Sequence, residues 1–207
     1  MHTIIKKYFP LITEGQTAQF EQIGLLYKEW NEKINVISRK DIENLYEHHI
    51  LHSLAVAKFI TPEAGTTFLD MGTGGGFPGI PLAIMWPNCQ FHLIDRIGKK
   101  ITVAKSIAEK IGLKNVTFQH GDIGECRQKY DYVVSRAVMT LDKLIPLIRK
   151  NISGKSINKF PNGLICLKGG DLTEEIRAAK HHVIDVPLSD YFVEEFFTTK
   201  NLIYAEL

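Results

Sequence analysis

The sequence predicts an α/β fold: a doubly wound, mostly parallel sheet with a closing antiparallel strand, preceded by an N-terminal helical extension. Three observations carry this prediction. From Thr66 onward short β-rich runs alternate with helical segments, the order that builds a parallel sheet through crossover helices. The run Phe68-Leu69-Asp70-Met71-Gly72-Thr73-Gly74-Gly75-Gly76-Phe77-Pro78-Gly79 passes from an apolar strand through a glycine turn into a helix, so a ligand can approach the backbone there. The last two strand candidates have no obvious helix between them, which calls for an antiparallel hairpin.

Taken in order, Phe20, Ile23, Tyr27, Trp30, Ile34 and Ile37 recur every three or four residues and predict an amphipathic helix over 20–37. A second helical stretch is expected from Asp41 to Ile60, ending at Pro62 and Gly65. Residues 1–64 thus form a helical extension and 65–207 a Rossmann-like domain. Strands are expected at 66–71, 90–95, 115–119, 131–135, 163–168, 182–187 and 201–206, and helices at 79–86, 98–111, 139–150 and 171–181. Phe20 and Trp30 lie on the apolar stripe and are read as core. Lys150 to Gly163, with Lys155 and Lys159 among Ser, Asn and Gly, is expected to be a mobile basic loop.

At 207 residues and 44% hydrophobic, the chain buries one substantial core. Its three cysteines, Cys89, Cys126 and Cys166, are odd in number and widely spaced, which argues against a disulfide framework and a four-ligand zinc site. Met1 to Thr13 carries Lys6, Lys7 and Pro10 and no long uncharged run, so neither a signal peptide nor a membrane span is expected, and a cytoplasmic protein is. Charge is uneven: residues 136–168 hold 7 basic and 1 acidic side chains, while 171–207 hold 3 basic and 8 acidic. The basic block fits a polyanion partner or a solvated face.

Asp95 ends the second strand, where an acid accepts hydrogen bonds from ribose hydroxyls. Gly74, Gly76 and Gly79 satisfy G-x-G-x-x-G, but the match starts late after the strand, and Pro78 and Pro81 stand where a pyrophosphate-binding helix would open. S-adenosylmethionine fits better: an acid ending the first strand (Asp70), the turn Gly72, Gly74, Gly76, then Asp95, then Asp122 beside Ile123 after the third strand. Arg96, Lys99 and Lys100 crowd the first turn of a helix, where the macrodipole disfavours cations, so phosphate binding is expected of them. Arg136 follows the fourth strand at the ligand-binding edge of the sheet. His48 and His52 share a helical face, but no third ligand accompanies them in a metal motif, and no metal is expected.

Trp30-Asn31 with Asn35, His48-His49-Ile50-Leu51-His52-Ser53, Phe77-Pro78-Gly79-Ile80-Pro81, Gly98-Lys99-Lys100, Val134-Ser135-Arg136-Ala137 and Leu167-Lys168-Gly169 resemble the bacterial 16S ribosomal RNA guanine-N7 methyltransferases, once called glucose-inhibited division protein B. The likeness runs from about residue 20 to residue 207. It implies a class I S-adenosylmethionine-dependent methyltransferase fold, cofactor contacts at Gly72, Phe77, Asp122, Ile123 and Arg136, and RNA contacts at Asn35, His49 and Lys168 beside Arg96, Lys99 and Lys100. The implied substrate is one guanine of the decoding-region 530 loop, position 527, in the small ribosomal subunit. The chain departs from the family pattern in having Gly121 in place of an arginine and His52 in place of an aspartate.

Guanine N7 is a lone-pair nucleophile with no proton to lose, so its methylation needs no strong general base. The sequence lacks the Asn/Asp-Pro-Pro-aromatic motif of exocyclic-amine methylation and the Pro-Cys nucleophile of pyrimidine C5 methylation. Catalysis would rest on positioning, with Arg136 and Lys100 as the expected orienting side chains. The alternatives are a small-molecule methyltransferase, a noncatalytic ribosomal-RNA-binding assembly factor and, third, a nicotinamide oxidoreductase. A monomer is expected.

Overall fold

The expected alternation produces seven strands in one sheet: β1 (Thr67–Met71), β2 (Gln90–Asp95), β3 (Val116–His120), β4 (Tyr132–Arg136), β5 (Gly163–Gly169), β6 (Val183–Pro187) and β7 (Lys200–Glu206). They appear in the computed structural model, which describes residues 3–207; Met1 and His2, part of the N-terminal expectation, lie outside the described residues. The spatial order is β3-β2-β1-β4-β5-β7-β6. β1 pairs in parallel with both β2 and β4, so the strand order reverses there and a crevice opens beyond their carboxyl ends. β7 alone runs antiparallel, inserted between β5 and β6. It forms the expected hairpin with β6 through two short 3-10 turns, Leu188–Asp190 and Glu195–Thr199.

Period-two alternation along the strands feeds two cores. Phe68, Phe91, Leu93, Tyr132, Val134, Ile165 and Leu202 face one side, packed with α2 (Glu14–Lys33), α3 (His52–Phe59), α4 (Gly79–Met85) and α5 (Gly98–Lys110). Leu69, Ile94, Val133, Leu164, Cys166 and Ile203 face the other, under α6 (Leu141–Ile148) and α7 (Thr173–Ala179). The N-terminal helices therefore share a core with the sheet. Phe20 is fully buried in it, and Trp30 packs at its edge.

Three expectations are corrected. The helix expected over 20–37 spans 14–33: Thr13 and Gln16 form a reciprocal capping box at its start. Beyond its end, Asn31 Oδ1 accepts from the amides of Val36 and Ile37, 3.0 Å each, and holds the chain in a bend. The helix expected over 41–60 is divided into a 3-10 turn (Ile42–Asn44), a π-helix (Leu45–Leu51) and α3. Finally, the loop of residues 150–163 is pinned rather than mobile. Tyr132 and Tyr204 hydroxyls donate to the carbonyls of Phe160 and Pro161 at 2.8 Å, and Asn158 Oδ1 accepts from the Glu63 amide and the Thr66 hydroxyl. This loop leads into the start of β5, at the opposite end of the sheet from the crevice. The basic block 136–168 is thereby split between two ends of the molecule and forms no single patch.

Candidate active site

Gly72 and Gly74 adopt φ of +70° and +58°, a left-handed conformation that only glycine takes without strain. Asp70, fully buried at the end of β1, sets the turn that follows: its Oδ2 accepts from the Thr73 hydroxyl at 2.5 Å and from the Gly79 amide, the first of α4, at 2.7 Å. A Cβ on Gly79 would lie 2.7 Å from that same oxygen, so the helix can start here only with glycine. Burial pushes the Asp70 carboxyl up to about 7, against the opposing pull of those two bonds and of Arg136. Asp95 bridges two turns, with Oδ2 accepting from the Gly74 amide and Oδ1 from the Ile97 amide, both at 2.8 Å.

Above these groups lies a cavity of about 620 Å³ lined by Gly72, Gly74, Phe77, Asp95, Lys100 and Arg136, and also by His48, His52, Phe196 and Lys200. A second cavity of about 490 Å³ shares Gly72, Asp95 and Lys100 with it and continues between Met71, Ile94, Ile123, Val138 and Gly121. An apolar slot beside a strand-end acid fits an adenosine, with the adenine between Ile94 and Ile123 and the ribose hydroxyls at Asp95. The adjoining glycine turn leaves room for an extended tail, since a Cβ on Gly74 would meet nothing within 4 Å. The residues present thus fit a nucleoside cofactor carrying an amino-acid tail.

Arg136 ends β4 deep in this site. Its guanidinium lies 5.1 Å from the Phe77 ring centroid, donates to the His48 carbonyl at 3.2 Å and faces His49 Nδ1 at 3.0 Å. His49 Nε2 in turn lies 2.7 Å from Asp41 Oδ2, and His48 Nδ1 lies 2.6 Å from Asp41 Oδ1. Arginine can only donate, so His49 Nδ1 is the acceptor and its proton is on Nε2, toward Asp41. Burial, then the Arg136 charge, lowers His49 to about 4, and the ring is neutral at physiological pH. Burial alone would raise the Asp41 carboxyl, but hydrogen bonds from His49, Asn44 and His48 hold it below the usual range. The π-helix serves this arrangement by turning two consecutive histidines onto one carboxylate.

Several sequence-predicted residues stand elsewhere. Gly76 does not line the cavity: its φ of +107° serves a tight turn packed on Ile80 and Tyr27. Asp122 lines neither cavity; its carboxylate accepts from the Gly124 amide at 2.6 Å and pairs with Arg96, while its neighbour Ile123 does line the adenine slot. Arg96 therefore reaches the site edge already paired. Asn35 accepts from Arg39 Nε on an exposed bend, and exposed Lys99 lies outside the cavities; Lys100 faces into both.

Lys168 lines the first cavity, with its ammonium already engaged. Its side chain is 9% exposed and its ammonium lies 2.6 Å from Glu175 Oε1 and 2.7 Å from the Met139 carbonyl, so it is an internal tether. Glu175 Oε1 also accepts from the Leu141 amide at the start of α6. Lys168→Ala is expected to lower stability by about 1–3 kcal/mol in urea titrations, because the half-buried Glu175 carboxylate and the Met139 carbonyl lose their shared donor. The slope of RNA affinity against salt should stay unchanged, where loss of a phosphate contact would reduce it.

Residues 16–203 match the family described as rRNA small subunit methyltransferase G (GidB). The chain is 59% identical to "Ribosomal RNA small subunit methyltransferase G" of Bacteroides thetaiotaomicron, over 99% of both chains. It is 52% identical to the protein of the same name from Porphyromonas gingivalis, over 99% of this chain and 93% of that one. Among solved structures, it superposes on a SAM-dependent methyltransferase from Aquifex aeolicus with a TM-score of 0.54 at 20% identity, over 82% of this chain and 98% of the other. A structure of a fibrillarin/Nop5p complex superposes with a TM-score of 0.55 at 10% identity, over 73% and 78%. At these identities the structural likeness shows the shared fold.

Proposed function

Because the chain belongs to the rRNA small subunit methyltransferase G family, we propose that it transfers a methyl group from S-adenosylmethionine to N7 of a guanine in 16S ribosomal RNA. The observation that carries this reading is the continuous pair of cavities at the reversal of strand order, with Asp70, the glycine turn and Asp95 along one wall. When bound, S-adenosylmethionine supplies an electrophilic methyl on a sulfonium. Gly72, Gly74 and Phe77 would hold its tail, Asp95 would accept from its ribose, Ile123 would pack on its adenine, and Arg136 would orient it.

The side chains serve to orient rather than to deprotonate. Both ring nitrogens of His49 are engaged, one by Arg136 and one by Asp41, so this buried histidine is no free base. That suits N7, which releases no proton. Holding the base in line with the methyl can supply about 7–11 kcal/mol of the barrier. Lys100, at the junction of the two cavities, and Lys99 and Asn35 nearby on the surface are the proposed RNA contacts; Arg96 joins them where phosphate competes with Asp122. No described helix is long and apolar enough to cross a membrane. The family membership supports a cytoplasmic enzyme acting on the small ribosomal subunit, at the decoding-region guanine.

The test is transfer of labelled methyl from S-adenosylmethionine to small subunits, or their RNA, from cells lacking the gene, followed by cleavage mapping specific for 7-methylguanine. Label at one decoding-region guanine is the expected result. Binding of adenosylhomocysteine with no label in RNA would pass the reading to a small-molecule methyltransferase. Tight RNA binding without cofactor turnover would leave an assembly factor.

A further inference from the structure

Where the π-helix and the approach to β7 line the cavity, it carries an unanswered hydrogen-bond acceptor. His52 is 6% exposed, lines the cavity, and its Nε2 has no hydrogen-bond partner among the described residues. The ring bonds the His48 carbonyl through its other nitrogen, which leaves the lone pair on Nε2. Burial, then the charges of Arg136 and Lys200, hold His52 well below the usual histidine range, so this lone pair persists at physiological pH. A buried acceptor without a donor is costly and calls for an explanation.

Phe196 and Lys200 complete the wall. The Phe196 ring stacks on His48 at 3.9 Å and 13°, and stands edge-on to His52 at 5.5 Å and 78°. It is half-buried and belongs to the short 3-10 turn before β7. Lys200 Nζ lies 4.7 Å from the Phe196 ring centroid and donates to the Thr199 hydroxyl at 3.0 Å. Unlike Lys168, it forms no ion pair with a carboxylate among the described residues.

We propose that this wall seats the target guanine by its Watson–Crick edge: His52 Nε2 accepts from N1–H or the N2 amine, and Phe196 yields its place on His48 to the base. This assignment rests on the proposed methyl transfer to guanine N7. A purine that turns N7 toward the methyl group turns N1 and N2 away from it, and the assignment sets that edge against His52. Adenine presents a lone pair at N1 and meets the His52 lone pair, so the same contact excludes it. Lys200, free of a carboxylate, takes a flanking phosphate. The bidentate arginine contact by which guanine is usually read would cover N7, and a reader on the far edge leaves that atom free.

The experiment compares the full-length protein with His52→Leu and His52→Gln, each saturated with adenosylhomocysteine, for binding of GMP, AMP and IMP by calorimetry. Wild type is expected to prefer GMP to AMP. His52→Leu should weaken GMP about 10- to 100-fold, leave AMP and adenosylhomocysteine unchanged, and His52→Gln should restore most of the loss. IMP binding as tightly as GMP would identify N1–H as the donor, and weaker IMP binding would identify the N2 amine. An unchanged GMP-to-AMP ratio in His52→Leu overturns the assignment. Should that variant fail to fold, the nitrogen NMR resonance of wild-type His52 Nε2 decides: it shifts on titration with GMP and not with AMP, or the assignment falls. If wild type methylates the RNA while His52 proves indifferent, only this inference fails. If no methyl reaches RNA and GMP is not preferred, the guanine reading itself fails.

Discussion

Arg136→Met is expected to lower kcat/KM for methylation of small-subunit RNA by about 100-fold or more and to reduce folding stability by about 3–5 kcal/mol. Arg136 is the hub between β4 and the π-helix. Its removal strands His49 Nδ1, leaves the His48 carbonyl to the His52 ring alone, and takes the face-on cation from Phe77. It also removes the charge that offsets Asp70. Burial already brings the Arg136 guanidinium down to about 10, with the nearby Asp70, Tyr27 and Asp41 acting the other way, so charge balance across this site is mutual. Lysine does not rescue the loss: its ammonium lacks the planar face that lies on Phe77 and the spread of the guanidinium fork. The measurement is steady-state methyl transfer together with adenosylhomocysteine affinity and urea unfolding of wild type, Arg136→Met and Arg136→Lys. A variant within threefold of wild type in all three would remove Arg136 from the site.

The sheet was legible in the sequence because its strands are short apolar runs punctuated by glycine and proline. The glycine turn was equally legible. Positive φ at Gly72 and Gly74 leaves a mark in the residue type itself, and Asp70 and Asp95 are fixed by their position at strand ends. The region 41–60 was read as one helix because hydrophobic period cannot distinguish α from π geometry. There the deciding interactions are polar, the two bonds from Asp41 to His48 and His49.

Site membership decided by topology alone escaped the sequence reading. Phe196 and Lys200 reach the cavity because β7 inserts beside β5, and Asp41 because the π-helix folds over β4; no local pattern announces either event. The pairing of Lys168 is hidden for a related reason: a lysine near the end of an apolar strand looks like a free cation, but α7 brings Glu175 onto it at the cavity wall. Asp122 and Gly76 lie within a residue or two of cavity-lining neighbours, which is the resolution a motif offers.

Asp70→Asn is expected to change how stability depends on pH. In the folded protein burial holds the Asp70 carboxyl near pH 7, against 3.8 as its ordinary value. A carboxyl raised on folding binds its proton more tightly in the native state. Its contribution to stability is therefore complete below about pH 4 and is lost as pH rises through 7. The difference corresponds to about 4 kcal/mol at 1.36 kcal/mol per pH unit. The asparagine carbonyl can still accept from Thr73 and Gly79, so the turn keeps its ties, while the amide takes the position of the unpartnered Oδ1 and does not titrate. Arg136 and Asp95 are the charged neighbours that tune the effect in opposite directions, Arg136 lowering the Asp70 pKa and Asp95 raising it. Urea midpoints of wild type and Asp70→Asn measured from pH 4 to pH 8 should diverge, the variant gaining relative stability as pH rises. Parallel curves over that range would mean that Asp70 is ionised in the native protein throughout. The Arg136 charge would then fully compensate its burial, and the large loss expected for Arg136→Met should grow steeply with pH.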